Sequence, residues 1–369
     1  MGVLVSACAP QDAPASDTSC DGVELLVAAS DYTSSDVCGA PSAGTTGGCA
    51  SGVDLGKDPQ LAASNGRTFF LARDMDLVFE LDPKCGTPLA RYSVHDDSAI
   101  GAANPHDAAV APDGSLFVVL YNVPRIAILK DGRVDGTIDL STYDPDGNPQ
   151  ADAIRIVSVG GVPKAFVTLE RLDDQDHLRS KQSSTMLRID VATRMVEATI
   201  DLAGRNPFNI MAEQDGALFL AEPGNFDSAT DALAGIERFD TTSSTTHLLV
   251  AEKDLGGSVA EVAVTAGCGV AIVAGPKTDV NPTSLVTFDP VTGKVLSTAS
   301  AAVLGPTPGY DLQGLAWRGT SLYVGDRRKG AAGYRVHVFN RDPNTCILHE
   351  AMSQGLDLPQ RPIALRPAH

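Results

Sequence analysis

Asn104-Pro-His-Asp-Ala-Ala-Val-Ala-Pro-Asp-Gly-Ser-Leu-Phe-Val-Val-Leu, residues 104–120, has a counterpart in Asn206-Pro-Phe-Asn-Ile-Met-Ala-Glu-Gln-Asp-Gly-Ala-Leu-Phe-Leu-Ala-Glu, residues 206–222. Both read Asn-Pro, a short apolar strand, an Asp-Gly turn and a second apolar strand. Asp113-Gly114 and Asp215-Gly216 are hairpin-turn chemistry, since a tight turn needs positive φ. A third strand follows and ends on an Asp-based turn, as in Leu77–Asp82, Leu187–Asp190, Ile236–Asp240, Leu285–Asp289 and Val336–Asn340 with its following Asp. A short, edge-like fourth strand completes the unit, as in Val134–Leu140 and Val196–Leu202.

The unit recurs roughly every 40–50 residues, the length of one four-stranded propeller blade. Full repeats span about 60–95, 104–141, 152–203, 206–251, 258–300 and 311–349. Two fragments remain: 23–56 opens directly on a second strand, and 360–366 supplies a lone first strand. Together they predict a seventh blade built from both chain ends, which leaves no open sheet edge. The expected fold is therefore an all-β, seven-bladed β-propeller of four-stranded antiparallel blades. One propeller domain is expected over 21–369, preceded by a tether over 9–20 and a signal-like segment over 1–8.

Composition fits this body. The 369 residues include 35 Gly and 23 Pro, enough for many turns, and 28 Lys+Arg against 46 Asp+Glu give a net charge of −18. That charge speaks against tracking nucleic-acid phosphates, which needs a basic face. No apolar run approaches the ~20 residues of a membrane-spanning helix.

Val5-Ser6-Ala7-Cys8 resembles a bacterial lipobox, in which the cysteine receives a lipid. The resemblance implies lipidation at Cys8 and an outer-membrane anchor facing the periplasm or the cell surface; Ala9 resembles the outer-membrane sorting signal. Removing Cys8 from the seven cysteines leaves six: Cys20, Cys38, Cys49, Cys85, Cys268 and Cys346. An even number in an exported chain reads as disulfides. Cys38 and Cys49 flank a Gly/Ser/Thr turn and form the expected pair, while the other four leave the connectivity open. No Cys-x-x-Cys supports a structural zinc site.

The Asn-Pro-His-Asp and Asn-Pro-Phe-Asn repeats with their Asp-Gly turns resemble the bacterial propellers with YVTN-type and quinoprotein-like repeats. With the tether, the arrangement is similar to surface-exposed propeller lipoproteins such as the vitamin B12-binding ones. In place of the YVTN tetrapeptide stand Phe117-Val-Val-Leu and Phe219-Leu-Ala-Glu.

In a propeller, residues opening each first strand and closing each second strand crowd one axial face. This places His106, Asp107, Asn122, Arg125, Arg155, Glu170, Arg171, Phe208, Asn209, Glu222, Gln313, Asp326, Arg327 and Arg361 as candidate ligand-binding residues. Tyr32, Arg73, Tyr121, Asp152 and Glu261 fall on the same face. A concave mouth of mixed charge suits a small polar ligand or a loop of an envelope protein. The first expectation is thus a non-catalytic binding module, acting as a monomer, touching the membrane only through its lipid and needing no cofactor. The competing bland reading is that these Asp and Asn cap turns while the arginines pair with neighbouring acids.

Two alternatives stand beside it. Streptogramin-lyase-like propellers place histidines and a glutamate around a divalent metal; the matching residues here would be His106, His177 and Glu170, for a metal-dependent lyase or lactonase. A structural scaffold of an envelope assembly is the other. Asp173, Asp174 and Asp176 loosely resemble a Ca²⁺ loop, but an EF-hand's glycine and terminal glutamate are missing, and the similar Tyr143-Asp-Pro-Asp-Gly-Asn-Pro stretch could hold Ca²⁺ through Asp144, Asp146 and Asn148; both also read as solvated turns.

Overall fold

The computed structural model describes residues 20, 22–41, 48–50, 52–226, 231–275, 281–331 and 333–368, with backbone alone over 352–357. Cys8 and the tether preceding Cys20 lie outside the described residues. Seven antiparallel sheets are arranged as blades about one axis, and their innermost strands are Arg361–Pro367, Pro59–Ser64, Pro105–Val110, Ala151–Val159, Phe208–Gln214, Ser258–Thr265 and Leu312–Arg318. We number the blades 1 to 7 in that order. Blade 1 is closed by both chain ends: Val23–Ser30 pairs with Ser35–Pro41 on one side and with Arg361–Pro367 on the other.

The second strands are nearly continuous apolar runs because each of their two faces meets a different blade. In blade 2, Phe69 packs toward blade 3 with Ala108 and Val118, while adjacent Phe70 packs toward blade 1 with Leu26 and Val37. In blade 3, Phe117 faces blade 4 with Ile154 and Val167, and Val118 turns back to blade 2. The same division continues around the ring, with one apolar cluster at every blade interface. At the closing interface Leu25 and Val27 of blade 1 meet Tyr323 and Val336 of blade 7.

Turn chemistry follows the sequence closely. Asp215 and Gly216 both adopt positive φ, at 50° and 76°, which is what a two-residue hairpin with right-handed twist requires. The aspartates after the third strands cap their turns: Asp82 Oδ1 accepts the Lys84 amide at 2.8 Å, and Asp240 Oδ1 accepts the Ser243 amide at 2.8 Å. Among the described residues blades 1 and 6 have three strands in place of the expected four. After Thr283–Phe288 the chain makes only isolated bridges, Phe288 to Val295 and Leu285 to Leu304, before reaching blade 7.

Three disulfides form. Cys38–Cys49 is the expected pair within blade 1, Cys20–Cys85 ties the N-terminal segment to blade 2, and Cys268–Cys346 joins blades 6 and 7. No helix of the described residues is long and apolar enough to cross a membrane.

Arg361–Pro367 buries Ile363 at the axis and Leu365 between blades, at 6% and 0% exposure. Their burial alone is worth about 3–6 kcal/mol. Deleting residues 360–369 should therefore lower the melting temperature by at least about 4–8 °C, measured by circular dichroism; an unchanged melting temperature would contradict closure by this strand.

Candidate functional site

The innermost strands are not regular, and the irregularity builds the site. In six of the seven blades the register slips where the inner strand begins: at Ile363, His106, Asp152–Ala153, Asn209–Met211, Ala260 and Gln313–Gly314. Such a bulge inserts a residue the partner strand cannot match and re-aims its side chain. Here the re-aimed side chains meet at the axis. Ile363, His106, Asp152, Asn209, Ile210, Ala260 and Gln313 all line one cavity of about 370 Å³. Blade 2 pairs without a slip and contributes Gln60.

The floor spans the ring. Gln60 Nε2 of blade 2 donates to Asn209 Oδ1 of blade 5 at 3.1 Å, linking inner strands three blades apart. On one side of this bridge, His106 stacks on Tyr121 with ring centroids 4.2 Å apart. Its Nδ1 lies 2.5 Å from Asp152 Oδ1 and its Nε2 lies 3.3 Å from Arg73 Nη1. An arginine N–H can only donate, so Nε2 accepts and Nδ1 carries the proton given to Asp152. Burial, reinforced by the Arg73 guanidinium, holds His106 well below the ordinary histidine value, so the ring is neutral near pH 7. Arg73 is itself neutralised by Asp58, Nη2 to Oδ1 2.5 Å.

Asp152 is pushed well above the usual carboxylate range by burial and then by Asp107. Its Oδ2 is buried with no hydrogen-bond partner among the described residues. Behind Tyr121, whose hydroxyl donates to Glu170 Oε2 at 2.6 Å, Glu170 is likewise raised by burial and by Asp152.

On the other side of the bridge, Arg327 Nη1 donates to Gln313 Oε1 at 2.9 Å and its guanidinium lies 5.7 Å from the Tyr32 ring centroid. Tyr310 and Glu261 adjoin it. Both Glu261 oxygens accept backbone amides of blade 7, Gly314 and Leu315, each at 2.9 Å, and burial raises this carboxyl too. An apolar wall completes the cavity, with Phe208 set edge-on to Phe226 at 5.4 Å beside Ile210 and Ile272.

Of the residues expected from the sequence, His106, Phe208, Asn209, Gln313 and Arg327 converge here. Tyr32, Arg73, Asp152 and Glu261, read onto the same face, line it as well, and the remaining candidates do not. Asp107 turns into the blade 3–4 interface, where Oδ2 accepts the Ile154 amide at 3.1 Å and pairs with Arg155 at 2.7 Å. Asn122 bonds to the Ala102 carbonyl, Arg125 pairs with Asp96, and Arg361 is exposed. Arg171 pairs with Asp144 at 3.2 Å in a loop pocket that also holds Asp146, Asp173 and Lys181. Burial raises Asp326, yet hydrogen bonds from His337 and Arg328 outweigh it and hold the group below its ordinary value. His177 is exposed on that same loop. Among the described residues no group of three His, Cys, Asp or Glu side chains is placed to hold a metal ion.

Glu222 is sealed inside blade 5. A Cβ on Gly204 would fall 1.6 Å from its Oε2, and burial with Glu237 beside it raises its carboxyl well above the usual range. Gln60, Tyr310 and Phe226 were not anticipated. A signal for Gln60 exists: like His106, Phe208 and Ile363, it follows a proline that opens an inner strand.

The chain is a seven-bladed β-propeller with a polar axial cavity, and structural comparison places it among propellers of several kinds. It superposes on the WD40 repeats of RRP9 with a TM-score of 0.53 at 11% identity, covering 82% of this chain and 80% of that one. For the dihydro-heme d1 dehydrogenase NirN in complex with DHE the values are 0.52 and 14%, covering 98% and 77%. For a streptogramin B lyase they are 0.51 and 12%, covering 84% and 86%. At these identities the likeness is one of fold alone. No protein-family model matches the chain, and comparison with curated proteins finds no matching sequence.

The buried acids give a defined pH dependence. Glu222 has a folded pKa above its unfolded value of about 4.3. Its stabilisation is therefore complete below that pH and is lost as pH rises toward the folded value. Glu222→Gln keeps the neutral form at every pH, so it should raise the melting temperature by a few degrees at pH 8 and leave it unchanged at pH 4. Equal destabilisation at both pH values would contradict a neutral Glu222.

Proposed function

We propose that this protein is a non-catalytic binding module of the cell envelope that holds a small ligand in its axial cavity. One observation carries the reading: bulged inner strands from around the ring deliver polar side chains and an aromatic wall into one concave space of about 370 Å³. Volume and mixed lining are those of a small-molecule site. The rigid ring holds these groups in place before a ligand arrives, which lowers the ordering cost of binding. Three disulfides fit an oxidising, extracytoplasmic compartment. In this reading Cys8 carries a lipid that anchors the body to the outer membrane.

The lyase or lactonase reading draws no comparable support. It needs His106, His177 and Glu170 about one metal, whereas His177 sits on an exposed loop and Glu170 stands behind Tyr121.

Gln60 is half-buried on the cavity floor, so Gln60→Trp fills the space from a position that can tolerate a larger side chain. Native mass spectrometry of the parent protein after exposure to a small-molecule extract of the producing cells should show a bound species of a few hundred daltons. The Gln60→Trp variant, folded by circular dichroism, should lose it. Equal retention by both proteins, or binding by neither, would count against the cavity as the binding site.

A further inference from the structure

The cavity's two sides differ in charge. Around His106 every cation is matched, since Arg73 is held by Asp58 and the imidazole is neutral. Across the Gln60–Asn209 bridge, Arg327 has only neutral partners among the described residues: Gln313 Oε1, the Tyr310 carbonyl at 3.5 Å and the Tyr32 hydroxyl at 3.4 Å. Its Nε, like that of Arg73, has no hydrogen-bond partner among the described residues. A guanidinium offers five N–H donors in a planar fork, so among the described residues this one has more donors than acceptors and no acidic hydrogen-bond partner.

The nearby acids do not supply the missing anion. Glu261 has both oxygens committed to the backbone of blade 7. Burial pushes Glu261 and Asp152 toward their neutral forms. In a chain of net charge −18, Arg327 is thus the cavity-lining cation that no carboxylate pairs among the described residues. One guanidinium flanked by tyrosines matches the single negative charge and planar shape of a carboxylate, and provides too few donors for a phosphate dianion. Toward blades 3 and 4 the cavity ends at His106 and Asp152. Phe208, Phe226 and Ile210 lie along the intervening wall.

We propose that the cavity binds a small organic monocarboxylate with an apolar body, its carboxylate on Arg327 and its body along the Phe208 wall. This assignment rests on the axial-cavity reading and gives it a ligand class. The far end of such a ligand lies toward His106 and Asp152.

Isothermal titration calorimetry of the full chain with 3-(4-hydroxyphenyl)propionate and its primary amide tests the assignment, because the two differ only in the charged group. The acid should bind about tenfold or more tightly than the amide. Arg327→Gln should reduce acid affinity to that of the amide, and Arg327→Lys should restore part of the difference. Equal affinity of acid and amide, with both lost in Gln60→Trp, would overturn the carboxylate assignment and leave the cavity reading standing. Failure of the acid to bind at millimolar concentration would also overturn the assignment. Binding of the acid that persists unchanged in both Arg327→Gln and Gln60→Trp would overturn the assignment and the cavity reading together.

Discussion

The antiparallel pairing of Arg361–Pro367 with Val23–Ser30 is the contact on which the rest of the molecule depends. An open stack of seven sheets would expose two apolar blade faces and could splay at its centre. Closing the stack buries Leu25, Val27 and Leu365 at the last interface and fixes the radius at which all inner strands meet. Two disulfides reinforce the neighbourhood of the closure. Cys38–Cys49 staples the outer part of blade 1, and Cys20–Cys85 ties the N-terminal segment to blade 2.

A fixed radius makes the inner-strand bulges consequential. Each slip would be a local defect in an isolated sheet. In a closed ring the same residues face one another, and Gln60 and Asn209 come within hydrogen-bonding reach from inner strands three blades apart. The cavity and its charge asymmetry are products of where each bulge falls. Blade 3 presents His106 to the axis and turns Asp107 into the next interface, where it joins the Ile154 amide to Arg155. Blade 6 does the reverse with its acid, presenting Glu261 while using its oxygens to grip blade 7.

That contrast explains how far the sequence could be read. The blade count and the split blade are legible because Asp-Gly turns, Asp-capped corners and paired apolar strands are local signals. Cys38–Cys49 is legible for the same reason, since a turn brings the two together. Cys268–Cys346 joins separate blades, and nothing local announces it. The site is legible only in part. His106, Phe208, Asn209, Gln313 and Arg327 reach the cavity, whereas Glu222 and Asp326 close their second strands as expected but point into blade interiors. The difference lies in bulge position and side-chain parity, which a one-residue slip reverses. The proline before Gln60, His106, Phe208 and Ile363 is the one signal that marks cavity residues, and it works because it fixes how the chain turns into the inner strand.

The account's central claim is that the starts of the inner strands act together as one binding surface. Hydrogen–deuterium exchange of the full chain, with and without saturating 3-(4-hydroxyphenyl)propionate, addresses it directly. The account predicts slowed exchange in peptides covering 59–61, 105–107, 151–153, 208–211 and 311–314, with the outer strands of the same blades unchanged. Protection confined to the 171–184 loop or to outer strands would contradict it.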